Sequence, residues 1–244
     1  MKISGKTVQS VVMSAVALIA CGGLTSPVWA DQPGRGKTAG FEVSYLKFII
    51  DHHYGALRMT ELAAGTDPNR DPTLSEMEGT SPTPGNAMTS PKAASSELKS
   101  MARRNNRMQR EEIMEAQGFL REWYGIEYQP RLASISRRQI ALLEQAPAGE
   151  RFDHLFMEVL SRHHFLALEP SARCAVASDI AHPMLQRYCF GIVHMQTSDI
   201  QNMREMLCQD FQICDYQPIV GLKGRHSGGD GHSHLDSETA VTIE

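Results

Sequence analysis

One arrangement occurs twice in this chain. His52-His53-Tyr54-Gly55-Ala56-Leu57 returns as His163-His164-Phe165-Leu166-Ala167-Leu168, offset by 111 residues, and Met108-Gln109-Arg110-Glu111-Glu112-Ile113 returns as Met195-Gln196-Thr197-Ser198-Asp199-Ile200, offset by 87. Such a repeat limits the fold more than composition does, because each copy is one supersecondary unit that buries its apolar face only by stacking on its neighbour. The difference between the offsets, 24 residues, is close to the length of a Pro-rich stretch at 65–92 that carries Pro68, Pro72, Pro82, Pro84 and Pro91. That stretch reads as a long loop.

Hydrophobic spacing identifies the unit. From Phe41 to Ala64, Val43, Leu46, Phe48, Ile49, Ile50, Ala56, Leu57 and Leu62 recur every three or four residues with no internal Pro, which predicts a helix. A second helix is expected from Ala93 to Trp123, with Gly125 as its stop, and a shorter third from Arg131 to Gln145. The fourth runs from Arg151 to Glu169, with Pro170 expected to end it, and the fifth from Pro183 to Gln209, where Pro183 suits the first turn. No segment alternates with a period of two between hairpin turns. The expected fold class is all-α: an antiparallel helical bundle built from two repeated helical hairpins, each pairing a His-His helix with a Met-Gln helix. Residues 31–40 read as a flexible leader, and 218–244, rich in Gly, Ser and His, as a disordered tail unable to bury a core.

The chain has 244 residues, 41% hydrophobic and 21% charged, which excludes disorder throughout, collagen and a polytopic membrane protein. Its first thirty residues have the form of a signal peptide: Lys2 and Lys6, an apolar run from Val11 to Ala20, and Ser26-Pro27-Val28-Trp29-Ala30 before Asp31. The expected destination is periplasmic or extracellular. Leu18-Ile19-Ala20-Cys21 also fits a lipobox, so a lipoprotein anchored at Cys21 is the alternative, and a membrane partner is expected only in that case. Cleavage after Ala30 would leave 214 residues with a formal charge of −6, since two Lys and no acid are lost. No basic footprint for nucleic acid remains.

Ten His, eleven Met and four Cys survive that cleavage. In an oxidising compartment Cys174, Cys189, Cys208 and Cys214 read as two disulfides with three connectivities. If Cys189 and Cys208 share one helix they lie about 28 Å apart, which excludes their pairing. Of the two remaining connectivities we favour Cys174–Cys189 with Cys208–Cys214.

Thioether and imidazole donors select soft or borderline metals, Cu(I) above all. His52 and Met59 are seven apart on one helix, Met108 and Glu112 four apart, and Met195, Asp199 and Met203 follow at four-residue steps, so each set shares a helix face. The candidate metal residues are therefore His52, His53, Met59, Met108 and Glu112 in the first hairpin and His163, His164, Met195, Asp199 and Met203 in the second. His226, His232 and His234 in the tail are candidates for loose Cu(II) capture. Against this stands the ordinary role of Met as adaptable core filler. His154, His182 and His194 read as surface or satisfied core residues.

The doubled motif resembles the bacterial domain of unknown function 305 (DUF305), in which a His-His pair is followed by Ala and a hydrophobe and then by Gln-x-x-Glu-Ile-x-x-Met. Here the pattern stands as His52-His53…Ala56 with Gln109…Glu112-Ile113, and as His163-His164…Ala167 with Gln196…Asp199-Ile200…Met203; Phe152-Asp153…Phe156 also resembles the family's lead into its His-His helix. The resemblance spans roughly residues 41–215 and implies a ferritin-like fold, periplasmic copper binding and copper homeostasis, with an exporter or copper chaperone as partner. The copies depart from each other: Met59 corresponds to Pro170, and Ala116 stands where Met203 lies in the second, so unequal sites are expected. No catalytic activity is expected. A ferritin-like di-iron oxidoreductase would need Glu-x-x-His motifs, which this chain lacks; Asp179-Ile180-Ala181-His182 comes nearest. A purely structural or interaction module is the other alternative.

Overall fold

Local sequence sets most of the helix ends. In the computed structural model, which describes residues 35–68 and 79–219, α1 spans Gly36–Ala64, α2 Ser96–Tyr124, α3 Ser134–Gln145, α4 Glu150–Ala175 and α5 Pro183–Phe211. Ser95 caps α2 by accepting the Leu98 N–H at 3.2 Å, with Glu97 in the first turn where the helix dipole favours an acid. Gly125, at φ 65°, closes α2 with a left-handed turn. Gly65 ends α1 at φ 78°, where a Cβ would sit 2.7 Å from Pro91 Cδ. Among the described residues there is no strand beyond an isolated bridge, Thr66 with Thr80, and no helix long and apolar enough to cross a membrane.

Two expectations are corrected. The leader is already helical from Gly36, because nothing from Gly36 to Gly40 interrupts the turn that α1 continues. Helix α4 does not stop at Pro170 but continues to Ala175. Proline removes one backbone bond, and two tertiary anchors just beyond it hold the helix on course. Ser171 Oγ is 2.9 Å from Tyr45 Oη of α1, and Cys174 is disulfide-bonded to Cys189 of α5. The second disulfide, Cys208–Cys214, ties the end of α5 to the segment after it, so the favoured connectivity is the observed one.

α1 packs along α2 and α4 along α5, giving two hairpins; α1 also contacts α4, and α3 lies against both. The dock of α3 depends on Gly55, where a Cβ would lie 2.5 Å from Ser136 Oγ. The core is divided into two lobes. One gathers Met59, Met101, Met157, Met203 and Met206 with Phe152, Phe156, Leu98, Leu143 and Leu160. The other, without Met, gathers Tyr45, Leu46, Ile49, Ile50, Phe119, Trp123, Tyr188 and the Cys174–Cys189 disulfide. The lobes occupy opposite ends: α1 and α5 begin in the Met-free lobe and finish in the Met-rich one, whereas α2 and α4 run the other way. The two hairpins are thus related by an approximate two-fold axis across the middle of the bundle.

Candidate metal centre

Between the lobes every long helix turns polar at its middle. α1 supplies His52 and His53, α2 supplies Asn105, Asn106, Gln109 and Glu112, α4 supplies His163 and His164, and α5 supplies Gln196 and Asp199. The four imidazoles are all buried, His52 at 5% exposure and the other three at 0%. Each fully buried large apolar side chain in the lobes contributes about 1.5–3 kcal/mol. Each unpartnered buried nitrogen in the layer costs about 1–3 kcal/mol. The lobes hold the fold together and the layer weakens it.

The repeat reappears as paired contacts. His53 Nε2 lies 3.1 Å from Glu112 Oε2, and His164 Nε2 lies 3.5 Å from Asp199 Oδ2, the matching residues of the two hairpins. His164 Nε2 is also 3.2 Å from Asn105 Oδ1. At His164 the facing acceptors favour the Nε2–H tautomer, which leaves the lone pair on Nδ1. The Nδ1 atoms of His53 and His164 are buried without a hydrogen-bond partner, as is His52 Nε2. The contact at His53 Nε2 is off the hydrogen-bond axis, so that atom too is unsatisfied. The Oε1 atoms of Gln109 and Gln196, the repeated Gln, are likewise buried and unpartnered.

Across the two-fold axis His52 stacks on His163 with centroids 3.9 Å apart and planes 8° from parallel. Burial pushes His52 well below its ordinary value, helped by the neighbouring His163, His53 and His164. His163 is lowered to about 3, again chiefly by burial. Both rings are therefore neutral near pH 7 and retain a lone pair. His163 spends its own: Nε2–H donates to the His52 carbonyl at 3.1 Å, and Nδ1 lies 2.9 Å from the Gln139 side-chain amide. Because Nδ1 then carries the lone pair, the amide must present its NH2 end there.

The structure thus brings His52, His53, His163, His164, Glu112 and Asp199 into one layer shared by both hairpins. Met59 and Met203 lie at 0% exposure in the Met-rich lobe, where Ser161 Oγ donates to Met203 Sδ at 3.6 Å. Met108 and Met195 are half-buried at equivalent places on α2 and α5. His226, His232 and His234 lie outside the described residues, as do the signal-like segment and Cys21. Among the described residues no three His, Cys, Asp or Glu side chains stand ready to hold a metal ion together. The layer offers donor atoms, and a metal would have to draw them together by ring rotation.

Asn105 and Gln139 are partners that spacing alone did not single out; Asn105 stands one helical turn before the repeated Gln109, the only local signal. A second buried cluster had no sequence signal, since its members are 140 residues apart. Glu42, at 0% exposure, accepts from the Ala181 and His182 backbone N–H groups, from His182 Nδ1 and from the Tyr124 hydroxyl. His182 stacks on Trp123 at 3.9 Å, so it is a core residue, held at the Met-free end.

The comparisons accord with this architecture. A solved structure of CopM in the Cu(II)-bound form aligns with 19% identity and a TM-score of 0.50, covering 70% of this chain and 97% of that one. A DUF305 fragment from Deinococcus radiodurans aligns with 18% identity and a TM-score of 0.50, covering 72% and 99%. At these identities the likeness is one of fold. No curated protein matches the chain. Residues 86–207, half the chain, match the domain of unknown function DUF305. With the duplicated motif and the all-helical fold, that match makes this chain a member of the DUF305 family.

Proposed function

We propose that this protein is an exported, non-enzymatic copper-binding protein that sequesters copper or passes it on, with the mid-bundle imidazoles as its principal donors. The observation that carries the reading is the layer itself. Four buried imidazoles from two hairpins meet where unpartnered nitrogens cost stability, and a carboxylate lies beside His53 in one hairpin and beside His164 in the other. Imidazole donors suit copper, and a protein of the same fold is known in a Cu(II)-bound form. His52, His53 and His164 are the first donors, Glu112 and Asp199 the carboxylates that face the His53 and His164 rings, and Met59, Met108, Met195 and Met203 the candidate thioethers. The tail residues His226, His232 and His234 would hold Cu(II) loosely, and an exporter or chaperone would receive the ion.

Anaerobic titration of Cu(I) against a chromophoric chelator tests the reading. His52→Ala with His53→Ala should remove the tightest-bound ion; unchanged stoichiometry and affinity would reject the layer as the site. A second reading treats the layer as packing, and the doubly bonded His163 favours it. Under that reading the wild-type chain takes up no Cu(I) and the double substitution alters stability only. Export is tested separately by N-terminal sequencing of the protein from the periplasm, where a chain beginning at Asp31 is expected and one lipidated at Cys21 identifies the anchored form.

A further inference from the structure

The thioethers are unevenly distributed in a way the imidazole layer does not explain. Five Met side chains belong to one lobe and none to the other. At the solvent edge of the Met-rich lobe, the first turns of α2 and the last turns of α5 enclose a cleft of about 220 Å³ lined by Glu97, Met101, Arg104, Glu205 and Met206, among others. Met101 and Met206 are 2% and 5% exposed, so two otherwise buried thioether residues form part of a cavity wall that opens to solvent. Two carboxylates against one guanidinium leave the mouth with a net negative charge, which attracts a small cation.

One face of α5 carries donors from the cleft toward the layer. Asp199, Met203 and Met206 follow at steps of four and three on α5 and so share one face. Met206 is at the cleft, Met203 is fully buried against Ser161 Oγ at 3.6 Å, and Asp199 lies 3.5 Å from His164 in the layer. Ser161 and His164, three apart on α4, share a face in the same way. The equivalent positions in the first hairpin are Ala116 and Phe119, which carry no donor atom and sit in the Met-free lobe. The first hairpin therefore lacks this series of donors.

We propose that the α2–α5 cleft is a soft-metal intake site, where Met101 and Met206 take up Cu(I) as a two-thioether complex and Met203 relays it to His164. The transfer is ligand exchange alone: one sulfur or nitrogen lone pair replaces another at an ion whose oxidation state does not change. Thioether sulfur is a neutral soft donor that discriminates against the hard cations abundant outside a cell. The proposal rests on the copper-binding reading above.

Ag(I), a redox-inert probe with the same ligand preference, is added in substoichiometric amounts to the full chain carrying 13C-methyl Met. The Met101 and Met206 methyl signals should shift first, followed by Met203. First shifts elsewhere, or none at these residues, would overturn the proposal. In stopped-flow loading from a Cu(I) chelator, Met101→Leu with Met206→Leu, which keeps volume, should slow uptake by about tenfold while the chelator-resistant ion in the layer is retained. An unchanged rate refutes the intake site. If instead His52→Ala with His53→Ala leaves that chelator-resistant ion in place while the Met methyls still respond, the layer reading fails and with it the relay to His164, and the cleft stands alone as the Cu(I) site.

Discussion

Acid should loosen this protein well before its carboxylates titrate. His163 is fully buried and its folded-state value is lowered to about 3, against an ordinary 6.5 in the unfolded chain. Between those values the unfolded chain binds a proton that the folded chain does not, so stability falls as pH falls, at about 1.4 kcal/mol per pH unit. Down to pH 5 the loss from His163 alone is about 2 kcal/mol, and His52, displaced in the same direction by the same burial, adds to it. The effect is absent above pH 7, where both rings are neutral in either state, and it levels off below about pH 3. Carboxylates of ordinary value remain largely ionised from pH 7 to 5, and Glu115, raised by burial, opposes the imidazole effect, so the measured loss understates the imidazole contribution. Urea denaturation of the metal-free chain at pH 7 and 5 measures the difference, and His163→Gln, which cannot titrate, should reduce the slope. Equal stability at both values, or an undiminished loss in His163→Gln, would refute the argument that these rings are neutral because they are buried.

Other outcomes follow from single contacts. Removing the Cys174–Cys189 disulfide by paired Ala substitutions, which opens a 15-residue loop, should cost about 3 kcal/mol and lower Tm by about 6–12 °C. Removing Cys208–Cys214, with a separation of six, should cost about 2 kcal/mol by the same relation, and calorimetry of both variants checks the order. Gly55→Ala places a methyl 2.5 Å from Ser136 Oγ; a net loss of about 1–3 kcal/mol is expected, with faster amide exchange in α3, and Ser136→Gly should restore it. Glu42→Ala strands three backbone or ring donors and the Tyr124 hydroxyl, and should lose at least about 3 kcal/mol, whereas Tyr124→Phe should lose about 1 kcal/mol; equal losses in thermal melts would show that the carboxylate is not the centre of the cluster.

Much of the architecture was legible because it is local. Gly125 and Pro183 mark helix ends by their own backbone chemistry, and the apolar spacing of α1 and α5 is periodic over many turns. Pro170 misled because its cost is also local while its remedy is not: Tyr45 lies 126 residues away and Cys189 belongs to another helix. Residues 36–40 misled in the opposite sense, since a Gly-rich start gives no signal that the helix behind it extends backwards.

At the site the division is sharper. The sequence by itself determined that two His-His helices and two Met-Gln-acid helices recur in register, because a duplication preserves spacing whatever the fold does with it. It also limited the disulfides to two pairings, because helical rise separates Cys189 from Cys208. Only the tertiary structure decided that the hairpins share one polar layer, that His52 stacks on His163, and that Glu112 and Asp199 stand beside His53 and His164. Likewise only the packing sent five Met side chains to one end of the bundle. These features depend on how two helix pairs cross, and a crossing is set by complementary surfaces far apart in the chain, which no local spacing encodes.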